Sequence, residues 1–233
     1  MQALRIAKCG RVQALALLCL VGATASAAPK PSPAPKSWNL TFYYEDPQRI
    51  TVTLPGEQAP RTYWYLLYTV VNETGRDLDF YPDFHLMTAT GRLIPSELGV
   101  NPAVFEQIKK RYARSRPFLQ SRTQIIGRLR QTADHAEEGV AIWPDTVATT
   151  GKFTIYISGL SGESAEVPNP AFDPGRPQVV QEKLADGTTI PRAVNPRAFT
   201  LHRTLAIHYD LPGDARTRSA ARPVRTGQEW VMR

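Results

Sequence analysis

From Trp38 onward, apolar residues recur mostly at every second position, the period of a half-buried strand. Between Asn39 and Asp46, Leu40, Phe42 and Tyr44 alternate with Thr41, Tyr43 and Glu45, and the alternation repeats from Ile50 to Leu54. The stretch from Thr62 to Val71 is apolar or aromatic on both parities. Trp64, Leu66, Tyr68 and Val70 fall on one face, and Tyr63, Tyr65, Leu67 and Val71 on the other. Such a strand is predicted to lie centrally, with a packing layer on each side. Asn72-Glu-Thr-Gly75 and Thr90-Gly91 supply reversals around strands near 77–81, 84–88 and 93–94. Later strands are predicted at 139–143, 152–158, 179–184, 188–190 and 199–209, the last with Phe199, Leu201, Leu205, Ile207 and Tyr209 on one face.

One interruption has a helical period. Pro102 suits a first helical turn, Asn101 can cap it, and Val104, Phe105, Ile108 and Tyr112 recur at helical spacing. Short strands, frequent turns and one amphipathic helix near 102–114 predict a mainly β chain: an antiparallel, immunoglobulin-like β-sandwich with one inserted helix.

Ahead of the strands, Arg5, Lys8 and Arg11 precede an apolar run from Val12 to Val21, which ends in small residues with Ala25-Ser26-Ala27 as the best cleavage site. That layout predicts a cleaved export signal over 1–27 and a periplasmic or extracellular protein. Ten apolar residues are short for a membrane span, and Leu17-Leu18 before Cys19 disfavours lipid attachment there. Pro29, Pro31, Pro33 and Pro35 then predict a stiff linker over 28–37, the sandwich follows over 38–214, and 215–233 closes the chain. That Arg-rich tail lacks any period and reads as disordered, with docking of Trp230 as the other reading.

The stretches Tyr65-Leu-Leu-Tyr-Thr-Val-Val-Asn-Glu-Thr-Gly75, Phe84-His-Leu-Met-Thr-Ala-Thr-Gly91, Gly139-Val-Ala-Ile-Trp143 and Phe153-Thr-Ile-Tyr-Ile-Ser-Gly-Leu160 resemble exported bacterial proteins with immunoglobulin-like sandwich domains. The resemblance spans about Asn39 to Asp214. It implies the fold and no established activity, so it assigns no catalytic residue.

Charge adds one candidate site. Of 28 Lys and Arg against 21 Asp and Glu, eight cations crowd into 109–130 with no acid from Lys109 through Gln131. Lys109, Lys110, Arg111, Arg114 and Arg116 are the candidate anion-binding residues, facing an anionic polysaccharide, lipid headgroups or an envelope protein. Export argues against genomic nucleic acid. Both Cys residues, Cys9 and Cys19, leave with the leader, so no thiol chemistry is expected. Asp77, Asp79 and Asp83 lack the order of a calcium loop, and His202 and His208 are about 20 Å apart on an extended strand, so no metal or cofactor is expected.

Gly159-Leu-Ser161-Gly-Glu163 and Thr150-Gly151-Lys152, with Thr146 in the first glycine's place, miss the nucleophile-elbow and phosphate-loop patterns. An aromatic surface of Tyr43, Tyr63, Tyr65, Tyr81 and Trp143 is an alternative contact face unless the helix covers it. The chain is thus expected to be a binding or interaction module. The alternative is an envelope enzyme acting on polysaccharide, with Asp145 and Glu163 or Glu166 as paired carboxylates.

Overall fold

The computed structural model describes residues 29–34, 36–145, 151–214 and 216–233. The expected export signal lies outside the described residues, as do Pro35, Thr146, Thr150 and Ala215. In chain order the elements are β1 (Thr41–Tyr44), β2 (Gln48–Val52), β3 (Arg61–Val71), β4 (Leu78–Phe80), β5 (Asp83–Thr88), β6 (Leu93–Pro95), α1 (Pro102–Arg111), α2 (Arg122–Ile125) and β7 (Gly127–Leu129). A 3-10 turn (Ala133–His135) precedes β8 (Glu137–Pro144), β9 (Lys152–Ser158), β10 (Ser164–Pro168), β11 (Val179–Lys183), β12 (Thr189–Ala193), β13 (Ala198–Asp210) and β14 (Val224–Met232). No helix among the described residues is long and apolar enough to cross a membrane.

The doubly apolar segment becomes β3, the spine of the first sheet. β8 runs antiparallel along one edge, from Tyr63↔Pro144 to Val70↔Glu137, and β1 and β2 share the other. Trp64, Leu66, Tyr68 and Val70 face a second antiparallel sheet, where Phe84, Leu86, Phe153, Ile155, Ile157, Leu205, Ile207 and Tyr209 complete the core. Tyr63, Tyr65 and Leu67 face outward and are roofed by Val104, Phe105 and Ile108 of α1. Asn101 caps that helix as expected, its Oδ1 accepting the Ala103 N–H at 2.9 Å. Trp143 points into the inter-sheet core beside Trp64, and α1 buries Tyr63 and Tyr65. The candidate aromatic face therefore does not form; Tyr43 and Tyr81 alone of the five remain exposed.

Tyr68 lies across Gly139, and a Cβ there would collide with its ring. The outer edge of β8 is closed by two short devices. Gln120 bridges it in parallel, and Glu97 accepts the Ile142 N–H at 3.1 Å while its own N–H donates to Ile142 at 2.8 Å. Pairing these groups matters because an exposed edge recruits foreign strands. Glu97 achieves it at φ +61, in the left-handed region, with Oε2 buried and unpartnered. Burial raises its pKa to about 7.

The tail corrects the sequence expectation. Residues 224–232 form β14 on the free edge of β13, and Trp230 packs against the core under the Arg203 guanidinium, 4.8 Å from its ring. Alternation was hard to see because this strand lies at a sheet edge and is interrupted by a register shift opposite His208 and Tyr209. The proline linker is also tied down: the Ser32 N–H donates to Glu163, which pairs with buried Arg203 at 2.8 Å. The Ser32 N–H, with Arg203, holds the Glu163 carboxyl below the usual carboxylate range. β4 forms within the strand expected near 77–81, but its partner β7 escaped the sequence reading because three residues carry no usable period.

Trp64→Ala is expected to cost about 3 to 5 kcal/mol in denaturant unfolding, while half-exposed His208→Ala should cost less than about 1. Equal costs would contradict the assigned faces. Glu97 also gives a pH signature. Its folded pKa is raised above the unfolded value, so its contribution is complete below about pH 4.5 and is lost as pH rises through about 7. Wild-type stability should therefore fall by roughly 3 kcal/mol over that window relative to Glu97→Gln, measured by unfolding at each pH.

Candidate functional site

The segment 109–131 looks uniformly basic in sequence, but folding brings acids to it from distant parts of the chain. Arg116 donates to Glu45 at 2.8 Å, Glu138 at 2.9 Å and Thr69 at 3.2 Å. Arg122 pairs with Asp83 at 3.3 Å, and Arg128 approaches Asp77 at 3.6 Å and Asp79 at 3.5 Å. Arg111 donates to the Tyr65 hydroxyl at 3.1 Å, and Lys109 sits over the Phe105 ring. Lys109, Lys110 and Arg111 also occupy the last turn of α1, where cations offset the negative end of the helix dipole.

The five predicted anion-binding residues consequently do not converge. Lys109 lines a cleft of about 760 Å³. Lys110 and Arg111 line another of about 440 Å³ with Thr51, Thr53 and Gln107, because positions 107, 110 and 111 share one face of α1 at i, i+3 and i+4 spacing while Lys109 falls off that face. Arg114 is exposed beyond α1, and Arg116 is a structural cation already matched by two carboxylates.

The larger cleft has a built floor and walls. After α1, Leu119 plugs the core while Gln120 hydrogen-bonds along β8, which leaves the adjacent Phe118 ring projecting into solvent, 79% exposed. Opposite, Leu129 of β7 is buried, so Arg128 and Arg130 face out. Asn72, itself fully buried, fixes that wall: its amide donates to Leu129 and Arg76, and its carbonyl oxygen accepts from Thr74. Thr132, a β-branched residue at φ +87, then turns the chain into the 3-10 turn that brings Asp134 and His135 to the rim. An outlier of this kind beside a cleft persists only where the surroundings hold it.

Lys109 and Arg130 supply cationic donors, Asp134 and Glu137 supply acceptors, and Gln124 supplies both. Glu137 already takes the Gln120 amide. Sequence reasoning gave Phe118 no role beyond packing and missed the carboxylate rim. The visible hint was an aromatic directly after Pro117 in a run of cations.

Other candidates are spoken for. Asp145 pairs with Arg49 at 3.2 Å and accepts the Trp64 indole N–H at 2.9 Å, whereas Glu163 is held by Arg203, so they do not form a shared carboxylate pair. Asp77 and Asp79 face Arg128, and no group of three or more His, Asp or Glu gathers as a metal site among the described residues. His208 bonds to Thr154 and Glu229, and His202 lines a separate depression with His85. Comparison with family models, with curated proteins and with solved structures finds no match.

If Arg116 is structural, Arg116→Ala should lower unfolding stability by about 1 to 3 kcal/mol because it strands two carboxylates, whereas exposed Arg114→Ala should stay within about 0.5. The reverse order would return Arg116 to the candidate ligands.

Proposed function

We propose that this chain is an exported module that binds an acidic polysaccharide in the Phe118 cleft. The observation that carries the reading is the Phe118 ring standing free in a groove of about 760 Å³ between cations and hydrogen-bond acceptors. A sugar ring has apolar C–H faces that stack on an aromatic, hydroxyls that donate to carboxylates and amides, and, when acidic, anions that draw Lys and Arg. Polyphosphate gives Asp134 and Glu137 nothing to accept, glycerol and ethanolamine lipid headgroups offer Phe118 no ring face to stack on, and a neutral glycan gives Lys109 and Arg130 little to hold. The leader-like order of Arg5, Lys8 and Arg11 before an apolar run supports export. An immunoglobulin-like arrangement of the two sheets, with the 102–136 insertion as binding platform, is the fold reading that accompanies this function.

A second reading, hydrolysis of the same polymer, draws on Asp134 and Glu137 lining one cleft, since glycosidases use paired carboxylates.

Heparin and polygalacturonate, with dextran as the neutral control, are suitable probes in titration calorimetry. Acidic polymers should bind with affinity that falls steeply as salt shortens the Debye length from about 10 Å at 0.1 M to about 3 Å at 1 M. Lys109→Glu with Arg130→Glu should abolish binding, Phe118→Ala should weaken it about tenfold, and Lys110→Glu, in the other cleft, should change it less than threefold. Unchanged binding in the double reversal, or equal retention of dextran, would sink the proposal. Release of new reducing ends would favour hydrolysis over binding alone.

A further inference from the structure

Between β10 and β13 the chain leaves the core. β11 and β12 pair only with each other, and all but Glu182 of their ten residues are exposed. Val179, Val180, Leu184, Ile190 and Val194 are among the exposed apolar side chains. The arm has a firm base: Asn195 is buried, exchanging bonds with Asp173 and donating to Arg176, and the Asn169 N–H donates to Arg197 at 2.8 Å. At the tip, Gly187 takes φ +86 and the Leu184 N–H donates to Thr188. A lone two-stranded ribbon is marginal in water, and a third strand or a covering face is what normally stabilises it.

The ladder fixes which groups are free. Val194 donates to Gln178 and Leu184 to Thr188, so with the register Val180↔Arg192 and Glu182↔Ile190 the even-numbered residues of β11 bond inward. The N–H and C=O groups of Val179, Gln181 and Lys183 therefore point out along an open edge. The outer edge of β12 carries Pro191, which has no N–H, at its middle position.

We infer that the open edge of β11 pairs with β11 of a second copy of this chain, antiparallel about a two-fold axis at Gln181. An antiparallel edge is its own complement, so a two-fold satisfies Val179, Gln181 and Lys183 with Lys183, Gln181 and Val179 of the other copy. Strand length and charge select this register, because an axis at Val180 would set Lys183 opposite Pro177, which has no N–H to offer. The axis at Gln181 sets Glu182 against Val180 and Lys183 against Val179, whereas moving the axis to Glu182 opposes two carboxylates and moving it to Lys183 opposes two ammonium groups. Pro191 on the far edge ends the sheet at four strands, which makes a closed dimer rather than a growing filament.

Sedimentation velocity of the leaderless protein at concentrations up to on the order of 100 µM is the test. The expected result is a reversible monomer–dimer equilibrium. Gln181→Pro removes the outward donor at the axis and no bond within the arm, and should raise the dimer dissociation constant at least tenfold. Replacing 170–196 by a short Gly-rich turn should abolish the dimer with the thermal midpoint of the core unchanged, since Asn169 and Arg197 already meet at the base. Pro191→Val, which reopens the far edge, should yield species larger than dimers. A protein that stays monomeric throughout the range, or a dimer that survives both Gln181→Pro and excision, overturns the inference.

Discussion

One strand buried on both faces organises this molecule. β3 presents Trp64, Leu66, Tyr68 and Val70 to the second sheet and Tyr63, Tyr65 and Leu67 to α1, and side chains on both faces are nearly inaccessible. Removing that much apolar surface from water favours folding at about 25 cal/mol per Å². It also demands a cover on each side and a partner for every backbone group along both edges. The first demand explains the helical insertion, without which Tyr63 and Tyr65 would face solvent. The second explains why β1, β2 and β8 flank β3.

The edge requirement links fold to function. β8 has one edge on β3 and would expose the other, yet Gln120 and Glu97 close it from the segments on either side of α1. The same backbone pairing at Gln120 that protects the sheet buries Leu119 and turns Phe118 outward. The proposed ligand contact thus sits on a segment whose position is set by the core rather than on a free loop. Rigid placement lowers the cost of ordering a binding surface. Should the arm hold two copies together, two such clefts would act on one polymer, and avidity would exceed the affinity of either.

The mainly β, antiparallel character was legible because β3 and α1 carry strong periods: two-face apolarity over ten residues, and an Asn-Pro start followed by Val104, Phe105 and Ile108. The basic segment was misleading because sequence shows which charges are neighbours along the chain, not which are neighbours in space. Glu45 and Glu138 reach Arg116 from two flanks of β3, and no local pattern announces that. β14 was hidden for a different reason. An edge strand with one half-buried face needs few apolar residues, so its composition matched that of a disordered tail. The arm was read as strands, but its lack of any core is a tertiary fact that hydrophobic alternation cannot reveal.

The central claim is that β3 welds both sheets and α1 into one cooperative unit while the arm stands outside it. Native-state hydrogen exchange, resolved by residue at a concentration that keeps copies apart, measures this directly. The account predicts that amides of β3, β9 and Ile108 of α1 exchange only through global unfolding, with a shared free energy and denaturant slope, whereas Val180, Glu182 and Ile190 of the arm exchange through far cheaper local opening. Arm amides as protected as those of β3, or an α1 that opens independently of β3, would contradict it.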